Sequence, residues 1–162
     1  QTKHHQLLVR LLLRLHFYHK LLEIETPDTF SDEYFSIPVG NMNVTGRVDC
    51  YDMTNGIIHD YKTASVWKVI KGDFADWRKQ GLIYAWLLTK QGFPVNECRF
   101  TAILKDHSKS KAKFDKNYPQ VPTYVYQFTV SEKDLEDMSK QFESIFIAYS
   151  LKKYWFSLKF RQ

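Results

Sequence analysis

Hydrophobic side chains return at helical spacing over residues 4 to 24, where Leu8, Leu12, Leu15 and Leu22 fall on the repeat. The pattern stops at Thr26-Pro27, because a proline ring disfavours helical backbone in the residue before it. This spacing predicts a first helix. The period then shortens. Tyr34 to Val39, Met42 to Tyr51 and Gly56 to Thr63 are short runs rich in β-branched and aromatic residues, punctuated by Pro38-Val39-Gly40-Asn41 and Thr54-Asn55-Gly56. They predict three antiparallel strands, the last two joined by a tight turn. Helical spacing resumes from Asp76 to Lys90 through Trp77, Leu82, Tyr84, Leu87 and Leu88, with Gly92 as a stop. Arg99 to Leu104 and Thr123 to Val130 predict two further strands, separated by a lysine-rich loop that ends in Tyr118-Pro119. Ser131 to Glu143 opens with a serine cap and early acids, the mark of a helix N-terminus. The order α, β, β, β, α, β, β, α predicts an α/β (α+β) fold, a central mixed β-sheet flanked by helices.

Composition narrows the class. A chain of 162 residues is long enough to bury one core, so residues 1–162 are expected to form a single domain. Its 44% apolar and 25% charged residues are the balance of a globular protein. A formal charge of +5 favours polyanions, and its placement says more than its size. Lys105, Lys109, Lys111, Lys113 and Lys116 crowd one stretch, which reads either as a solvated face or as a DNA-binding surface. Cys50 and Cys98 are too few, and too far from a CxxC pair, for a zinc ribbon or an iron–sulfur cluster, and a reduced cytoplasm suits them. Leu7 to Leu15 is interrupted by Arg10 and Arg14 and no small-residue cleavage site follows, so it predicts an amphipathic helix, and no membrane association is expected. Gly-rich phosphate loops and the Gly-x-Ser-x-Gly elbow are missing, which removes kinase-like and α/β-hydrolase chemistry.

The segment that carries chemistry is Gly46-Arg47-Val48-Asp49, followed after a turn by Asp60-Tyr61-Lys62-Thr63. Side chains alternate along a strand, so Asp60 and Lys62 share one face while His59 and Tyr61 take the other. If the preceding strand pairs through the Thr54-Asn55-Gly56 turn, Asp49 comes near Asp60, and two carboxylates alone in a cleft repel. A hard divalent ion between them relieves that repulsion and leaves positions open for phosphate. In that scheme Lys62 orients a nucleophile or offsets charge developing in the transition state. The triplet Asp-x-Lys is by itself equally an exposed ion pair on a strand.

These motifs, with Gln80 and Tyr84 one helical turn apart, resemble in kind and order the signature of RecB-type nucleases of the PD-(D/E)XK superfamily, over roughly residues 19 to 130. The resemblance implies a restriction-endonuclease-like core and a Mg2+- or Mn2+-dependent deoxyribonuclease. It makes Asp49 and Asp60 metal ligands together with the Tyr61 carbonyl, and Lys62 the catalytic lysine. Gln80 and Tyr84 become supports of the active site and substrate. His19-Lys20-Leu21-Leu22-Glu23 matches the second half of the family's early metal-binding motif and makes His19 a further ligand, although Leu15 stands where that motif has glycine. The stretch Ile103 to Lys113, closing on Tyr118-Pro119-Gln120, resembles phage-type members, which implies a phage or prophage source and action in the bacterial host cytoplasm. Five lysines there would hold a nucleic-acid backbone without reading bases. Trp67 and Trp77 offer ring faces for an unpaired base or, as aromatic residues more often do, pack a core.

The resulting expectation is an exonuclease in phage recombination, replication or repair, acting on single- or double-stranded DNA. A homo-oligomer or a recombination or replication partner accompanies some relatives. Two other readings compete with it: a catalytically inactive DNA-binding module on the same fold, and an assembly protein docking through Tyr154-Trp155-Phe156.

Overall fold

The computed structural model describes residues 28–159, with side chains through residue 152. The first predicted helix and His19 lie outside the described residues. The rest is an α+β fold, a mixed five-stranded sheet with flanking helices, consistent with a restriction-endonuclease-like core. Strands β1 (Thr29–Val39), β2 (Met42–Asp52) and β3 (Ile57–Ala64) are followed by helices α1 (Val66–Lys71) and α2 (Ala75–Lys90). Then come β4 (Glu97–Leu104), α3 (Lys109–Phe114), β5 (Thr123–Thr129) and α4 (Glu132–Lys159). The strands lie side by side in chain order. All neighbours are antiparallel except β3 and β4. That pair is parallel because the chain between them crosses over through α1 and α2, as a parallel connection requires.

The predicted tight turn forms between β2 and β3. Gly56 takes φ 67°, and its amide donates to the Asp52 carbonyl at 2.9 Å. Helix α2 packs against β1 to β4, and α4 packs on α2 and β1. Gly81 lets α2 come close: a Cβ there would lie 2.8 Å from the Phe128 ring and 3.2 Å from the Cys98 Cβ. Beneath the helix Trp77 stacks on Phe100 with ring centroids 5.7 Å apart, and Phe74 stacks on Tyr126 at 4.7 Å.

Four predicted assignments change. Strand β1 starts at Thr29 rather than Tyr34. Helix α1 was not expected. Ser65 precedes it in extended backbone and Gly72 ends it at φ 64°, so it is one short turn element between two breakers. The lysine-rich stretch is not all loop, since Ser108 caps α3 by accepting the Lys111 amide. Helix α4 runs well past Glu143, because no glycine or proline occurs between Ser131 and Lys159 to stop it.

One irregularity shapes the site. Asp32 has φ 57°, a left-handed value that non-glycine residues seldom adopt. Below it Phe30 faces the core, and above it Phe35 does, so the alternation of β1 reverses across Asp32. The partner strand shows the same reversal: Val48 and Tyr51, of opposite parity, are both fully buried. The pair at the reversal is Asp32 and Asp49, which the flanking register of Ser31 with Cys50 and Glu33 with Val48 sets opposite each other.

Candidate active site

Strand β2 pairs with β3 only through Cys50–His59, Tyr51–Ile58 and Asp52–Ile57. Beyond His59, β3 continues to Ala64 against β4, while β2 from Val48 back to Met42 continues against β1. The two strands fork, and Asp49 and Asp60 are the first residues inside the fork. At the alternation reversal the Asp49 side chain turns across the gap, and its Oδ2 accepts the backbone N–H of Tyr61 at 3.0 Å. That amide finds a carboxylate partner where the strand ladder has ended, which stabilises the fork and fixes Asp49. Simple alternation predicts Asp49 near Asp60 on one face; its position is instead between the strands.

Asp60 is 2% exposed, the one charged residue among the buried polar side chains described. Lys62 Nζ stands 2.6 Å from its Oδ1, a close charged contact to a buried oxygen. Burial pushes the Asp60 carboxyl up to about 6, the Lys62 charge and its hydrogen bond pull against that, and the Asp49 charge adds to it. Lys62 also lies 5.7 Å from the Phe100 ring centroid, over the strand that neighbours β3.

Helix α2 closes the site from above. Gln80 Nε2 donates to the Tyr84 hydroxyl at 2.7 Å, which leaves the phenolic proton free to point elsewhere. Burial raises the Tyr84 phenol above its ordinary value, the Gln80 hydrogen bond pulls against that, and the Asp60 and Asp49 charges add to the rise. Gly46 makes room for this ring: a Cβ there would sit 3.0 Å from Tyr84 Cε1 and 2.8 Å from Leu87 Cδ1. The spacing of Gly46 to Asp49 therefore couples a close helix approach to a placed carboxylate. Arg47, between them, is an exposed side chain that bonds both Asp32 carboxylate oxygens at 3.1 Å and so braces the left-handed residue.

Five predicted site residues, Asp49, Asp60, Lys62, Gln80 and Tyr84, thus come together. Tyr61 contributes its amide to Asp49, while burial pushes its phenol up to about 12. The lysines stand elsewhere, at the end of the sheet toward which β3 and β4 run. Lys105 follows β4, Lys109, Lys111 and Lys113 lie on α3, and Lys116 lies in the turn beyond; all five are exposed. Asp106 anchors that segment, accepting the Val66 amide at 2.7 Å, and Tyr118 is buried under it. Trp77, a predicted stacking face, is 5% exposed and belongs to the core. Asp32 was not expected from sequence, and its one signal is the change of parity between Phe30 and Phe35.

No protein-family profile and no characterised protein matches the chain by sequence. Its structure is similar to the crystal structure of SSO0001, with 15% identity and a TM-score of 0.49 over 81% of this chain and 57% of that one. It is also similar to a Eubacterium rectale protein described as "Putative exonuclease", with 12% identity and a TM-score of 0.44 over 71% of this chain and 41% of that one. The chain spans less than two thirds of either, and at these values the likenesses say nothing of what it acts on. No described helix is long and apolar enough to cross a membrane.

Donor chemistry tests whether the fork suits a metal. Among the described residues no group of three or more His, Cys, Asp or Glu side chains converges on one point. Magnesium commonly uses one or two carboxylates and takes its remaining oxygens from carbonyls, water and phosphate. Two carboxylates whose charges bear on each other in one fork fit that ion better than zinc, which wants three or four protein donors.

Proposed function

We propose that the chain is a divalent-metal-dependent nuclease that hydrolyses phosphodiester bonds in DNA, of the PD-(D/E)XK type that its motifs resemble. The exonuclease mode is part of the proposal. The observation that carries it is the buried Asp60 carboxylate, raised to about 6 with the Lys62 ammonium 2.6 Å away and the Asp49 charge adding to the rise. A structural ion pair needs one acid for one base, whereas here a second carboxylate bears on the same buried group and disfavours its charge. Excess negative charge in a buried fork suits a divalent cation.

Asp49 and Asp60 would hold Mg2+ or Mn2+, with the Tyr61 carbonyl as a further donor. Such an ion supplies positive charge against a phosphate and lowers the pKa of water. The protein's own residues do the rest. Lys62 places an ammonium where negative charge grows in the transition state, in a site dry enough to strengthen the attraction. The Tyr84 hydroxyl, accepting from Gln80, keeps a proton to donate to a phosphate or sugar oxygen. The exposed lysines bind backbone phosphates and position the strand.

The experiment is digestion of labelled linear duplex, single strand and circular plasmid with Mg2+, Mn2+ or EDTA. Wild type is expected to degrade linear DNA only with metal, and Asp60→Asn and Lys62→Ala to lose at least about a hundredfold of rate, the size of one transition-state contact. Metal-independent cleavage, or a wild type that binds DNA without cutting it, would sink the proposal.

A further inference from the structure

Two aromatic rings stand in solvent at the end of the sheet where the fork opens. Trp67, on α1, is 63% exposed and Phe114, at the end of α3, is 85% exposed. Helix α1 follows β3 and α3 follows β4, and those strands end together with Ala64 beside Leu104. The bond from the Val66 amide to Asp106 ties the start of α1 to the segment leading into α3, so both rings sit on one continuous rim. Folding gains nothing from rings left in water. The contrast is Trp77, which packs between Phe74 and Phe100.

Charge says what the rings are for. Lys105, Lys109, Lys111 and Lys113 are all exposed on this rim, and the Lys113 ammonium lies 5.9 Å from the Phe114 ring centroid. The two acids of the same stretch are engaged with backbone: Asp106 with the Val66 amide and Asp115 with the Asn117 amide at 2.9 Å. From Lys105 to Lys116 five lysines still outnumber these two aspartates, and flat rings among that excess of ammonium groups complement a chain that carries flat faces and regular negative charge. A duplex hides its base faces in the stack, whereas an unpaired strand presents them.

We infer that Trp67 and Phe114 form a stacking platform for the unpaired bases of a single strand, whose phosphates the neighbouring lysines hold. A strand end gripped there is fed toward Asp60 and Lys62. Only this last step rests on the nuclease reading; the binding does not.

Binding is measured by fluorescence polarisation in EDTA, with a labelled oligothymidylate and a blunt duplex of equal length, so that no cleavage intervenes. Wild type is expected to prefer the single strand. Trp67→Ala and Phe114→Ala each weaken that binding about 5- to 150-fold without changing its salt slope, since stacking is lost and no phosphate contact is. Trp67→Phe keeps most of the affinity, whereas Lys109→Ala with Lys111→Ala flattens the salt slope. Alanine variants that bind the oligonucleotide like wild type overturn the platform. So does a wild type that favours the duplex or binds neither, and so does polyglutamate competing as well as oligothymidylate of equal charge, which would mark the rim as a site for acidic protein. Asp60→Asn separates the two ideas: it is expected to bind the single strand at least as tightly as wild type and not degrade it, and degradation at the wild-type rate would remove the catalytic reading while leaving the platform standing.

Discussion

Asp60 is held in the folded protein with a carboxyl pKa of about 6, against an ordinary value of 3.8. Between those values the folded state keeps a proton that the unfolded chain has released, so the stability that Asp60 contributes is fully present below about pH 4 and is lost as pH rises through 6. The stability lost across that window is roughly 3 kcal/mol, an upper figure because other groups relax around the charge. Without metal, Asp60→Asn is therefore expected to be more stable than wild type at neutral pH and no more stable in acid. Urea unfolding in EDTA at about pH 4 and about pH 7.5 checks this, and equal stabilities at both would show that Asp60 ionises without cost. Magnesium should reverse the order at neutral pH by binding the ionised wild type alone, worth about 4.1 kcal/mol at a thousand times its dissociation constant. Sequence singled out these residues but not how they meet. Asp60 and Lys62 share a face by alternation, while the place of Asp49 depends on Asp32 at φ 57°. A left-handed aspartate leaves only a parity change as its trace.

At the scale of elements, all five strands and the two long helices α2 and α4 were legible, because period-2 and period-3.6 patterns survive wherever one face is buried. Helices α1 and α3 were not, as each is a six-residue element with less than two turns of pattern. The fork of β2 and β3 was also invisible, since periodicity reports faces and not the length of a ladder. Glycine exposes how tightly these elements meet. At Gly81 an alanine gains about 1 kcal/mol of helix propensity, yet its Cβ would meet the Cys98 Cβ at 3.2 Å, an atom fixed to the sheet backbone. Overpacking of this kind costs about 1–3 kcal/mol, so Gly81→Ala should be neutral to destabilising by about 2 kcal/mol in thermal unfolding, and a stabilised variant would show that α2 can lift. Gly46→Ala differs, because the atoms it displaces are Tyr84 Cε1 and Leu87 Cδ1. A swung Tyr84 leaves the carboxylates, so cleavage rate should fall more than tenfold beside a stability loss of about 1 kcal/mol. Equal, small losses in both measurements would place Tyr84 outside the chemistry.

For the whole molecule the decisive question is how a site with two carboxylates attracts a polyanion. The fork itself repels phosphate, since Asp49 and Asp60 together outweigh Lys62 until a cation arrives. Attraction must come from elsewhere, and the exposed lysines at the adjoining end of the sheet lie in a stretch where five lysines outnumber two aspartates. Each phosphate they neutralise releases counterions, contributing roughly 0.7 to the slope of log affinity against log salt for a single strand. Replacing Lys109, Lys111 and Lys113 together by alanine should flatten the slope by about 2 and weaken binding most at low salt, while rate at saturating DNA stays near wild type. Asp49→Asn has the opposite signature: without metal it should bind DNA somewhat more tightly, having lost a repulsive charge, and cut it no better than background. Stopped-assay rates and salt-dependent affinities on the same preparations separate the two surfaces. If the triple lysine variant lost rate at saturation while keeping its salt slope, the lysines would belong to the reacting site and the fork would not be the place where the strand is cut.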